Sequence, residues 1–388
     1  MARASVVGAG MTKFGVHDTP LQELFGDAAF EAFDDAGVGP DEVEALFFGN
    51  AMGGQTENVT HLGPQCATHV GMAGKPVQRY EDACATSANA FKNAVEAVES
   101  GRHDVVLVGG VERCTPETGK DTDEMTRIFA SASHRQYEQP TGLTFPGVFA
   151  LLTKRHMHEH GTTEEHLAEV AVKNHGHGSL NPKAHFGKET TVEEALDGPV
   201  VADPFRLMDC CPFSDGAAAV VLVSDDLADS FDAPVDVTGV GHATDIVPLA
   251  DKETPHVTKA ARDAASQAYD QAGVSAADVD FAEVHDCFTG AEVLASEALG
   301  LIEDGQGGVA AAEGRTSRDG DIPINASGGL KAKGHPIGAT GAAQIVELTE
   351  QVRGEAGEHQ LDGVSRGVAH NLGGDAATTV VSIMEARA

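Results

Sequence analysis

The feature that most limits how this chain can fold is an internal repeat. At an offset of 236 residues, Asp27-Ala-Ala-Phe-Glu-Ala-Phe-Asp-Asp-Ala-Gly-Val aligns with Asp263-Ala-Ala-Ser-Gln-Ala-Tyr-Asp-Gln-Ala-Gly-Val. Nine columns between residues 27 and 43 are identical, more than two unrelated amphipathic helices would share. In each half the helix ends at Ala-Gly, a short acidic turn follows, and an apolar strand comes next, at Ala45-Leu-Phe-Phe and at Asp280-Phe-Ala-Glu-Val. A second helix, over 89–99 or 342–352, then feeds a strand that ends in paired glycines at 109–110 or 373–374. Strands and helices alternating with short links imply a parallel or mixed α/β sheet covered on both faces. Two such halves, 1–235 and 236–388, stack into a five-layer α/β/α/β/α body. The stretch from about 115 to 200 has no repeat partner and is expected to be an inserted cap (loop) domain over the first half.

Sixty acidic residues against 26 Lys plus Arg give a net charge of −34, which excludes the basic footprint a nucleic-acid binder needs. At 41% hydrophobic content the chain is no disordered acidic tail. The acidic residues fall at helix-surface positions such as Asp34-Asp35 and Glu164-Glu165. A surface of this kind repels itself in dilute buffer and tolerates concentrated salt, so a halophilic, high-salt cytosol is expected. Ala4-Ser-Val-Val-Gly-Ala-Gly reads as a buried first strand, and no apolar run approaches membrane length, so the expected location is the cytoplasm, with no membrane contact. Six cysteines without C-x-x-C spacing speak against structural zinc and against a disulfide framework.

Two patterns invite misreading. His156-Met-His-Glu-His160 and His175-Gly-His177 suggest a metal site, but no cysteine or carboxylate set completes a coordination sphere, and solvated surface is the expectation, with no metal. Gly8-Ala-Gly10 lacks the third glycine of a dinucleotide fingerprint.

Three segments carry chemistry. Cys84, in Asp82-Ala-Cys-Ala-Thr-Ser, follows a strand and directly precedes a helix, where the helix dipole and free N–H groups favour a nucleophilic thiolate. In Glu283-Val-His285-Asp-Cys287-Phe, at the carboxyl end of a second-half strand, alternation puts His285 and Cys287 on one side. His335 lies in Ser327-Gly-Gly-Leu-Lys-Ala-Lys-Gly-His-Pro-Ile-Gly-Ala-Thr-Gly, a glycine-dense turn running into a helix lined with small residues, a floor for a large ligand.

Together with Ser214-Asp-Gly-Ala-Ala-Ala and the terminal Asn371-Leu-Gly-Gly, these motifs resemble the thiolases over essentially the whole chain. They are most similar to archaeal acetyl-CoA acetyltransferases and sterol-carrier-protein-type thiolases. The resemblance implies the duplicated thiolase fold, coenzyme A thioesters as substrates without a separate cofactor, and a homodimer or homotetramer. It implies Cys84 as the acylated nucleophile, His335 as its activator, His285 in one oxyanion hole, and the N–H groups of Cys84 and Gly373 in the other. Asn371 stands where many relatives have a second catalytic cysteine, so Cys287 is the implied acid/base. The reaction implied is reversible Claisen condensation of two acetyl-CoA, or thiolysis of a 3-ketoacyl-CoA. Cys211, Ser327, Phe288 and Arg206 are expected to touch CoA, with Lys154, Arg155, Lys331 and Lys333 as further cations for its phosphates. A hydroxymethylglutaryl-CoA-synthase-like or ketoacyl-synthase-like condensing enzyme and an inactive scaffold subunit are the alternatives. Archaeal relatives also imply hydroxymethylglutaryl-CoA synthase and a zinc-ribbon bridging protein as partners in mevalonate supply.

From the charge alone, the purified protein is expected to keep its fold and solubility in molar KCl, measured by circular dichroism and light scattering. Unfolding or aggregation there would contradict the high-salt reading.

Overall fold

The computed structural model describes residues 4–115 and 118–387. The first half comprises β1 (Ala4–Met11), α1 (Leu21–Ala36), β2 (Ala45–Gly49), α2 (Gly53–Thr56), α3 (Leu62–His69), β3 (Val77–Tyr80), α4 (Thr86–Glu99) and β4 (Val105–Glu112). An excursion follows through α5 (Thr122–Ala130), α6 (Phe145–His160), α7 (Glu164–Ser179), α8 (Val192–Asp197) and a small hairpin of β5 (Val200–Ala202) and β6 (Phe205–Arg206). The chain then returns through β7 (Gly216–Val223) and α9 (Asp225–Ala228). The second half is β8 (Val235–Thr244), α10 (Lys259–Ala272), β9 (Phe281–Val284), α11 (Thr289–Ala298), α12 (Gly307–Ala312), α13 (Gly329–Ala332), α14 (Thr340–Arg353), β10 (Arg366–Gly373) and β11 (Thr378–Ala386).

The expected duplication is plain in the strand order. The first half runs β3-β2-β4-β7-β1 and the second β8-β11-β10-β9, each with parallel pairing at its outer end and antiparallel pairing toward the seam. A parallel bridge from Ile324 to Ala282 occupies the outer position that β3 fills in the first half. At the seam, Ala4–Val6 pairs antiparallel with Val235–Val237, so among the described residues the two sheets are hydrogen-bonded into one of nine strands. Helices α4 and α14 touch each other and strands of both halves, which makes them the central layer. Helices α1 and α3 cover one outer face and α10 and α11 the other. The thiolase-type five-layer α/β body is therefore present.

The repeat extends to the glycines. Helices α1 and α10 both end at a glycine in the left-handed region, Gly37 (φ 68°) and Gly273 (φ 70°). On the neighbouring strands, a Cβ at Gly8 or Gly10 would collide with the carbonyl oxygens of Ala32 and Ala28, and one at Gly239 or Gly241 with those of Ala268 and Ala264. Gly8-Ala-Gly10 is thus a helix-packing device, repeated in the second half, in which strand and helix backbones meet directly.

The inserted segment packs mainly on the second half, although α5 also reaches α2 of the first half and Lys183 pairs with Glu31 there. Val148, Phe149, Leu152, Leu167 and Val170 share a core with Phe288, Val293, Leu294, Ala311 and Leu330. Its apolar faces are matched by helix α11, whose ten residues are all buried. The insertion therefore roofs the end of β9 that carries His285 and Cys287.

Gly241→Ala is expected to destabilise the fold by about 1–3 kcal/mol through overpacking. Gly176→Ala, at a helical position with open space around it, is expected to be neutral or to stabilise by up to about 1 kcal/mol. Urea unfolding of both variants in the same salt checks the contrast.

Candidate active site

Strand β3 delivers the chain to a tight turn in which Ala83 takes φ 47°, a left-handed conformation that costs a non-glycine residue about 1–2 kcal/mol. The turn is held by the Ala85 N–H on the Asp82 carbonyl (3.0 Å) and by the Thr86 hydroxyl, which accepts from the Asp82 N–H and donates to the Ala83 carbonyl. Cys84 sits at its apex, immediately before α4. The expected thiolate is not its resting state. Burial pushes the thiol up to about 12, outweighing the Gly374 N–H that faces the sulfur, and Glu112, Glu81 and Asp82 add to the rise. Without a base beside it, the helix terminus does not ionise this cysteine.

That base is His335. Its Nδ1 lies 2.7 Å from the Thr340 hydroxyl, which itself donates to the Pro336 carbonyl at 2.9 Å. A hydroxyl whose proton is used in this way accepts from Nδ1–H, so Nε2 carries the lone pair. Nε2 is buried and has no hydrogen-bond partner among the described residues. Burial drives the imidazole down to about 3, so it rests neutral and ready to take a proton. The turn that presents it depends on Gly328 (φ 99°) and Gly334 (φ 113°).

His285, at the end of β9, meets His335 edge to face, with ring centroids 4.9 Å apart at 87°. The Asn371 amide donates to its Nδ1 at 3.0 Å, which leaves Nε2–H as a donor with no partner among the described residues. Cys84 Sγ and ring nitrogens of His285 and His335 all lie within 4.8 Å of one another. They open, with Cys287, into a cavity of about 380 Å³ whose other walls include Met52, Phe129, Phe145, Phe149, Phe213, Phe288 and Cys211. Burial also holds Cys287 well above the usual thiol range. The arrangement supplies a thiol, a neutral base, a neutral donor and a second thiol inside an apolar chamber.

Cys84, His285, Cys287, His335, Cys211 and Phe288 meet at this cavity, and the structure places the other expected residues elsewhere. Gly374, and not Gly373, lines the cavity and faces the sulfur. Ser327 is fully buried and donates to Glu283 at 2.6 Å, away from the chamber. Arg206 is held by Glu164 and the Gly198 carbonyl. Lys331 and Lys333 are 2% exposed, too deep to meet a phosphate at the surface. Lys154 and Arg155 are paired with Asp203 and Glu159. The histidine runs are not solvated surface throughout. His156 is buried against Glu297 (3.0 Å) and Thr162 (3.0 Å), and four residues on, His160 shares its face, with centroids 4.8 Å apart. His175 and His177 are also buried, on the carbonyls of Lys188 and Asn325.

The supporting carboxylates went unrecognised in the sequence. Asp286, between His285 and Cys287, points the other way and accepts from the N–H groups of Leu330 and Lys331 and from Asn174. It ties the end of β9 to the turn that carries His335. Glu292 gathers Lys173 (2.7 Å), Asn174 (2.7 Å) and Asn325 (2.8 Å) beneath it. The signal was there: alternation that aims His285 and Cys287 at the site aims Asp286 into the protein, where a carboxylate needs donors.

Because the thiolate fraction grows tenfold per pH unit below the thiol's pKa, Cys84 alkylation by iodoacetamide, mapped by peptide mass spectrometry, is expected to accelerate steadily to pH 10. A plateau below pH 7 would show a preformed thiolate.

The N-terminal domain model of thiolases matches residues 4–226, and the model described as thiolase C-terminal domain-like matches residues 241–386. The acetyl-CoA acetyltransferase of Methanothermobacter thermautotrophicus is 42% identical, with 99% of each chain covered. Sterol carrier protein 2 of Bos taurus is 34% identical over 97% of this chain and 71% of its own. Among solved structures, the Ltp2-ChsH2(DUF35) aldolase superposes with a TM-score of 0.84 at 25% identity, covering 99% of this chain and 97% of its own. Two matched domains that meet at the Cys84, His285, Cys287 and His335 chamber make this chain a member of the thiolase family.

Proposed function

We propose that the protein is an acetyl-CoA C-acetyltransferase, converting two acetyl-CoA to acetoacetyl-CoA and CoA in a reaction that is reversible by thiolysis. The observation that carries the reading is the unpartnered His335 Nε2 beside Cys84, with its tautomer locked by Thr340. Full-length likeness to an archaeal protein of that name supports the substrate.

His335 takes the Cys84 proton as the sulfur attacks the thioester carbonyl. The oxyanion is met by N–H groups of Cys84 and the Gly373–Gly374 turn. Cys287, protonated at rest, passes its proton to the departing CoA sulfur and is thereby a thiolate when the second acetyl-CoA enters. It then removes a proton from the acetyl methyl, while the His285 Nε2–H donates to the developing enolate oxygen, an interaction stronger in the transition state than in the ground state. The enolate carbon attacks acetyl-Cys84, and the freed Cys84 sulfur recovers its proton from His335. Each residue ends as it began, and no prosthetic group is required.

We place the enzyme in the cytoplasm of a halophile as a homodimer or homotetramer supplying the mevalonate pathway. In molar salt the repulsion between CoA and an acidic protein is screened. A structural relative named as an assembly with a second protein, ChsH2(DUF35), supports a bridging partner, with hydroxymethylglutaryl-CoA synthase as the acceptor of product.

The test follows acetoacetyl-CoA on addition of CoA in molar KCl. Wild type is expected to consume it, Cys84→Ala to be inert, and Cys287→Ala to be crippled. Asn371→Ala, which frees His285 to take the wrong tautomer, is expected to lower kcat with little change in KM. His285→Ala should lose on the order of a hundredfold or more, as deletion of an oxyanion donor does. A folded wild type with no activity would turn the reading toward another condensing reaction or a scaffold.

A further inference from the structure

We propose that Cys84, His285 and His335 also form a binding site for one soft divalent transition-metal ion of the zinc class, whose occupancy closes the active site reversibly. The inference rests on the geometry of the three side chains and stands apart from the choice of acyl substrate. Their donor atoms lie within 4.8 Å of one another on the wall of the same cavity. A tetrahedral ion holds sulfur at about 2.3 Å and imidazole nitrogen at about 2.0–2.1 Å. The three donors therefore need to close in by only about an ångström.

Among the described residues, the two imidazole Nε2 atoms meet no competing hydrogen-bond partner. His285 is 1% exposed and His335 7%, and the Nε2 of each is buried without a partner. Buried polar atoms are seldom left unpaired, so two of them facing one thiol mark a place built to receive something. His335 already has the tautomer a ligand needs, since Nδ1–H is given to Thr340. His285 needs its proton on Nδ1. The Asn371 amide oxygen is buried and unpartnered, and turning that amide over places the oxygen where it accepts Nδ1–H, which frees Nε2. The fourth position opens to the chamber, where water can fill it.

Binding exchanges the Cys84 S–H bond for a sulfur–metal bond. The proton leaves to solvent and no electron is transferred. The charge of the ion compensates the thiolate that burial alone disfavours. The bound ion blocks the nucleophile and the base together. The histidine-rich runs at 156–160 and 175–177 offer no such convergence, since His156, His175 and His177 are already committed to Glu297, Lys188 and Asn325.

The test is an anaerobic titration of the intact protein with Co²⁺, whose tetrahedral thiolate complexes give intense visible bands and a near-ultraviolet sulfur-to-metal band. Binding of one equivalent is expected. Both bands should vanish in Cys84→Ser, affinity should fall at least tenfold in His335→Asn and His285→Asn, and His158→Ala, at an exposed position, should bind as wild type does. Persistence of the sulfur band in Cys84→Ser, or no stoichiometric binding by folded wild type, would overturn the proposal. Pre-incubation with acetyl-CoA separates the two readings. Acetyl-Cys84 without Co²⁺ binding in the free enzyme removes the metal site and keeps the acyltransferase, whereas Co²⁺ bands that acetyl-CoA never suppresses keep the site and remove the acyl intermediate.

Discussion

The site exists because the N-termini of the two central helices nearly touch. Cys84 immediately precedes α4 and His335 lies just before α14, so the distance between nucleophile and base is set by how closely those helices approach. Only small residues permit the approach found. A Cβ at Gly341 would strike the backbone and side chain of Ala88, and one at Gly49 or Gly110 would strike the Gly338 carbonyl. The Ser87 hydroxyl accepts the Ala342 N–H at 3.0 Å, which fixes the register between the helices. Duplication supplies two equivalent helices, and stacking the halves turns their first turns toward each other.

Electrostatics then follow from depth. In a buried chamber every charged form is penalised, so the cysteines rest as thiols and the histidines as neutral rings. This differs from an active site built on a standing thiolate–imidazolium pair. Reactivity resides in tautomers and proton paths, and those are set by neighbours that never meet the substrate: Thr340 for His335, Asn371 for His285, and Asp286 for the turn between them. The cost of this design is a set of unpaired buried atoms, which a fold tolerates only where a ligand completes them.

Much of this was legible in the sequence. The repeat at an offset of 236 specified two equivalent halves, and Cys84, His285, Cys287 and His335 stood in segments whose glycines and helix starts announced a site. What was hidden depends on distances between segments far apart in the chain. Residues 115–200 carry no repeat partner, so nothing local says that their apolar faces belong on α11 in the second half. Ser327 and the lysines at 331 and 333 look like surface contacts in a polar, glycine-rich run, yet Glu283 and Asp286 draw that run inward. The cysteine before a helix suggested ionisation, because the sequence shows the dipole but not the depth of burial.

The central claim is that Cys84 is the residue acylated, with His335 as its base. The most direct measurement quenches the enzyme in acid after brief exposure to acetyl-CoA in molar KCl and maps the acetyl group by peptide mass spectrometry. The expected result is a single acetyl on the peptide containing Cys84, absent in Cys84→Ala and strongly diminished in folded His335→Ala. Acetyl on Cys287 or Cys211, or undiminished labelling of Cys84 without His335, would contradict the account.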